Sequence, residues 1–118
     1  GIRNFLTLFL SIEVSKAMDD ANAARAKGDA AGLDMGQRRV ALFTDQLNES
    51  NPILTMISDA MTQQGELNEQ ALAAPTAAKR EALEAQAAEC EAQKEKGNAM
   101  LKEVSAKYND AMKKLCGR

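Results

Sequence analysis

Histidine is missing from this sequence altogether, and so is tryptophan. Without histidine there can be no His-based catalytic triad, no di-iron site built on Glu-x-x-His pairs and few kinds of zinc site. A cysteine nucleophile at Cys90 or Cys116 would also lack its usual base. Aromatic residues make up only 3% of the chain, so a core has to be assembled from Leu, Ile, Val, Met and Ala, which suits thin, closely approaching helices. β-branched residues are few and scattered, and nothing alternates with the period of a strand. Fifteen basic residues face seventeen acidic ones, a net charge of −2. No strongly basic face arises from that balance, and no nucleic-acid partner is expected. No run approaches the roughly 18 apolar residues of a membrane span. A chain beginning at Gly1 is expected of a processed product.

Two cysteines also limit cross-linking. On one helix Cys90 and Cys116 would stand roughly 39 Å apart, far beyond the reach of a disulfide. Cys90 is expected as a small core residue. Cys116 is expected as an accessible thiol, a candidate for an intermolecular disulfide.

What is present is helical periodicity. From Thr76 to Cys116 a seam recurs at alternating spacings of four and three: Leu83, Ala87, Cys90, Lys94, Gly97, Leu101, Val104, Tyr108, Ala111 and Leu115. That is the heptad signature of a helix packed along other helices. A second stripe runs Leu10, Val14, Ala17, Ala21, Ala24, Gly28, Ala31, with residues small enough for close approach of axes. A third runs Val40, Phe43, Leu47, Ser50, Leu54, Ile57, Met61 and keeps phase through Asn51-Pro52. Pro52 therefore predicts either a fresh helix capped by Asn51 or a kink in one helix, with nearly collinear segments.

Boundaries follow from turn chemistry. Gly32-Leu33 reads as a helix stop, and Asp34 with Gln37 as the capping box of the next helix. Pro75-Thr76 opens the last helix. Acids at its start and lysines at its end match the helix dipole, and Glu103–Lys107 and Asp110–Lys114 are spaced to pair. The expected fold is all-α: a single domain, an elongated up-down-up bundle or coiled-coil hairpin of three long helices at 2–31, 35–72 and 75–115, the middle one kinked near 51–52. Its expected core includes Phe5, Phe9, Phe43, Leu47, Leu54, Ile57, Leu101, Val104 and Tyr108.

No residue constellation points to catalysis, and no cofactor, metal or small-molecule substrate is expected. Gly28, Gly32 and Gly36 recur every four residues but lack the lysine of a phosphate loop. Asp19-Asp20 and the acids of the last helix lack calcium-loop spacing. Two features stand out. Lys94 and Gly97 interrupt the long seam: Lys94 either sets register or snorkels where the helix leaves the bundle. And Ile2, Phe5, Leu6, Leu8, Phe9 and Ile12 are apolar around nearly the whole helix, more than one buried face can use.

That segment reads as an oligomer contact, with simple core, a membrane-surface anchor and a signal-peptide remnant as the other readings. Glu13, Asp19 and Asp20 disfavour an anionic membrane surface. The function expected is that of a non-enzymatic structural or interaction protein working through helix–helix contacts with itself or a protein partner. A subunit of an exported secretion-type filament and a membrane-surface helical protein are the alternatives.

Overall fold

The computed structural model describes the backbone of residues 2–117 and the side chains of residues 5–117. The chain forms three α-helices, α1 (Ile2–Lys27), α2 (Ala30–Leu72) and α3 (Ala77–Cys116). No strand occurs among the described residues, and the fold is an all-α helical-hairpin bundle.

The first turn lies four residues ahead of the expected Gly32-Leu33. Gly28 takes a φ of +73°, the left-handed conformation glycine adopts without steric cost. Its N–H donates to the Arg25 carbonyl at 3.1 Å, and the Asp29 N–H donates to the Ala24 carbonyl at 2.9 Å. Those two bonds are the Schellman closure of a helix. Asp29 then caps α2, its Oδ1 accepting from the Gly32 N–H at 2.9 Å, three residues in as an N-cap requires. Gly32 and Asp34 are therefore interior to α2, and Asp34 pairs with Arg38 at 2.9 Å instead of capping.

The second turn falls where expected, with Thr76 as the cap and Ala77 as the first helical residue. Thr76 Oγ1 accepts from the Lys79 N–H at 3.2 Å. Between the turns α2 runs through Asn51 and Pro52 as one helix, so Asn51 caps nothing. Pro52 and Asn48 are both exposed, where water can take the Asn48 carbonyl that the proline ring leaves free.

The chain falls into two compact units: Gly1–Asn51 with Glu103–Arg118, and Pro52–Lys102. In the first, α1 and the start of α2 run antiparallel. Arg39 bonds Asp20 at 2.8 Å, and Gly36 lies against Ala21 so closely that an added Cβ would fall 2.9 Å from the Ala21 Cα. Leu10, Ala17, Ala21 and Ala24 are buried, as their stripe predicts. Its continuation to Gly28 and Ala31 does not hold, because α1 ends at Lys27.

In the second unit α2 and α3 run antiparallel, with Ile57 facing Gly97 and Gln64 bonded to Glu91. Leu67, Ala87 and Cys90 form a buried cluster with Leu83 against it. All ten seam positions expected on α3 are buried or half-buried. On α2 the expected stripe holds from Val40 through Phe43, Leu47, Ser50 and Leu54 to Ile57, all of them buried or half-buried. Met61 is a correction: it is exposed, and Ala60 is buried in its place. From Gly36 the inward positions alternate strictly by three and four, through Arg39, Phe43, Gln46, Ser50, Ile53, Ile57, Ala60, Gln64, Leu67 and Ala71. Several are polar, which is why an apolar count strays onto Met61.

Candidate self-association face

The first turns of α1 carry apolar side chains on opposite sides. Leu10 is 1% exposed, and half-buried Leu6 and Val14 flank it on the inward side. On the other side Phe5 is 74% exposed, Leu8 61%, Phe9 49% and Ile12 45%. These four stand at i, i+3, i+4 and i+7, the spacing of one helix face. One turn on, the same face carries Lys16, and then Asp19, so the patch ends abruptly.

The structure thus brings Phe5, Leu8, Phe9 and Ile12 together on one exposed face. Leu6 does not join it. Ile2 belongs to α1, but its side chain lies outside the described residues. Placing Phe5 and Phe9 in the chain's own core is corrected: both are exposed, because the inward positions of those turns are filled by Leu6 and Leu10. Cys116 is free and exposed, and Cys90 is free and buried, as their sequence positions suggest.

Two polar groupings in the packed faces escaped sequence reasoning. Near the open end of the first unit, Glu49 of α2 accepts hydrogen bonds from Lys107 Nζ at 2.8 Å and from the Tyr108 hydroxyl. Lys107 therefore reaches across to α2 and not along α3 to Glu103, whereas the expected Asp110–Lys114 pair forms at 3.1 Å. The Lys107 bond, then the Tyr108 bond, hold the Glu49 carboxyl below its ordinary value. The same bond to Glu49, aided by burial, pushes Tyr108 up to about 12. In the second unit, one oxygen of Glu91 accepts from Lys94 at 2.8 Å and from Gln64 at 2.9 Å. Lys94 and then Gln64 keep that carboxyl low. Lys94 neither sits unpaired in the seam nor leaves the bundle; it fixes the acid that Gln64 reads from α2.

These groupings pin one helix to another. No group of three Cys, Asp or Glu side chains among the described residues could hold a metal ion. No helix among the described residues is long and apolar enough to cross a membrane. The apolar face of α1 is the feature least accounted for by the chain's own packing. Compared with known proteins, the chain matches no family model, and no curated sequence or solved structure is significantly similar to it.

Proposed function

We propose that the protein is a non-enzymatic structural or interaction protein whose outer α1 face pairs with a second copy through coiled-coil contact. The observation that carries this reading is the exposure of Phe5, Leu8, Phe9 and Ile12 on one face while Leu10 fills the buried side of the same turns. A large apolar side chain gains about 1.5–3 kcal/mol when fully buried. The four together expose about two side chains' worth of apolar surface, and leaving it in water forgoes several kcal/mol, a sizeable share of the stability of a small domain. Soluble monomers seldom leave such a patch uncovered. A second copy brings the same patch, and a two-fold pairing covers both at once. Exposed Cys116 is available to lock such a contact under oxidising conditions.

The test is the mass in solution of the double variant Phe5→Ser/Phe9→Ser against the unmodified chain, in reducing buffer at tens of micromolar. A dimer or larger species that becomes monomeric, with helical content retained, supports the reading. An unmodified chain that is already monomeric removes it.

A further inference from the structure

The exposed face of α1 is graded along the helix. Exposure falls from 74% at Phe5 through 61% at Leu8 and 49% at Phe9 to 45% at Ile12. The face therefore stands proud at its N-terminal end and sinks into the chain's own surface towards Ile12. Just beyond it, half-buried Glu13 pairs with Lys16 at 3.5 Å. Exposed Lys16 and Asp19 continue the same stripe with charge.

That gradient decides how two copies fit. In a parallel pair each residue meets its own counterpart, Phe5 on Phe5 and Ile12 on Ile12. Proud then meets proud, recessed meets recessed, and the two faces cannot close along their length. Lys16 would also face Lys16, and Asp19 face Asp19, like charges whose juxtaposition is costly. In an antiparallel pair the two-fold axis passes between Leu8 and Phe9. Phe5 of one copy then meets Ile12 of the other, and Leu8 meets Phe9. Each pair sets a more exposed residue against a less exposed one and an aromatic ring against an aliphatic chain, so the two layers match in bulk, as close packing requires. Lys16 and Asp19 fall outside the apolar overlap, and the two helix dipoles oppose each other. Building on the self-association proposed above, we infer that the two α1 helices pair antiparallel about an axis between Leu8 and Phe9.

The size of the face sets the strength of the contact. A fully exposed side chain of this kind presents on the order of 200 Å², so the four present roughly 450 Å² per copy at their exposures. A pair covers about 900 Å² of apolar surface, short of the roughly 1,200–2,000 Å² of a stable standard interface. The contact is therefore reversible, made and released as concentration changes.

Pulsed electron spin resonance on the full-length chain tests the arrangement, at tens to hundreds of micromolar. Nitroxides are placed on single cysteines at Ser15→Cys or Asn22→Cys in a Cys90→Ala/Cys116→Ser background. Both positions are exposed on α1 and lie beyond the apolar face. In an antiparallel pair each residue's step carries both labels away from the axis, so the separation is expected to grow from about 20 Å at position 15 to about 40 Å at position 22. The same short separation at both positions, set by the distance between helix axes, is the mark of a parallel pair; it overturns the inference and leaves self-association standing. Absence of dipolar coupling at both positions means a monomer and removes both. A second measurement mixes Phe5→Cys chains with Ile12→Cys chains in the same background under mild oxidation. Mixed disulfide dimers should exceed either like dimer several-fold, because positions 5 and 12 oppose each other while two copies of position 5 stand about 10 Å apart along the axis. Phe5→Cys chains that join each other as readily as they join Ile12→Cys chains overturn the antiparallel pair.

Discussion

In the first packing unit Gly36 of α2 meets the backbone of α1; in the second, Gly97 of α3 meets the side chains of α2. A Cβ at position 36 would fall 2.7 Å from the Ala21 Cβ and 2.9 Å from its Cα. A Cβ at position 97 would fall 2.6 Å from the Ile57 Cγ1 and 2.9 Å from the Met56 Cε. Both glycines are buried in a helix interior, where glycine costs roughly 1 kcal/mol relative to alanine. What stands opposite them differs. Ala21 presents main chain, which cannot move without moving α1. Ile57 and Met56 present side chains, which can turn aside. The first unit is therefore held by close approach of helix axes, and the second by side chains filling the space a missing Cβ leaves.

The largest effect should come from removing the one large side chain buried at the α1 contact. Leu10→Ala deletes a fully buried leucine among small neighbours and is expected to cost about 2–5 kcal/mol in denaturant unfolding. A loss under about 1 kcal/mol would show that the first unit does not depend on α1. Next, Gly36→Ala should destabilise by about 1–2 kcal/mol, the overpacking strain exceeding the gain in helix propensity. Gly97→Ala should stay within about 1 kcal/mol of the unmodified chain, because Ile57 and Met56 can shift and the propensity gain offsets the strain. Equal effects at the two positions would erase the distinction between backbone and side-chain contact.

The smallest effect is electrostatic, and its sign differs at the two ends of the pH scale. Tyr108 is raised from 10.0 to about 12 in the folded chain. The unfolded state loses that proton first, so the contribution of Tyr108 is complete below about pH 10 and is lost as pH rises towards 12. Glu49 and Glu91 are lowered. Their contribution is complete above the ordinary carboxylate range and fades as pH falls through the lowered values. Tyr108→Phe should abolish the Tyr108 part of the alkaline loss and reduce, without removing, the acidic one, since Lys107 still holds Glu49 and Lys94 still holds Glu91; the readout is the midpoint of urea unfolding across pH. An alkaline loss of the same size in the variant would place its cause elsewhere.

Much of this fold was legible before any coordinates. The α3 seam from Leu83 to Leu115 and the α1 stripe from Leu10 to Ala24 lie inward, since both are written in apolar or small residues at helical spacing. The first turn was not legible to the residue. Gly28, Gly32 and Gly36 recur every four positions, and each is flanked by residues suited to a turn. What separates them is cooperative: Gly28 alone is followed at once by an aspartate whose carboxylate reaches the Gly32 N–H. The α2 stripe lies inward as far as Ile57 and fails at Met61, because the seam there passes through Ala60 and Gln64. Helical spacing pairs Lys107 with Glu103 because it sees only its own helix; the actual partner, Glu49, is 58 residues away.

The antiparallel pairing of the helices has a kinetic consequence. Asp20 and Arg39 are 19 residues apart, Gln64 and Glu91 are 27, and Glu49 and Lys107 are 58. Closing the longest of these loops costs about 1 kcal/mol more chain entropy than closing the shortest. Pairing is thus expected to spread outward from the caps at Asp29 and Thr76, each helix zipping onto its neighbour like the teeth of a fastener. The last stretch of α3 would then find α2 late in folding, after the contacts near each turn have shortened the loop it must close.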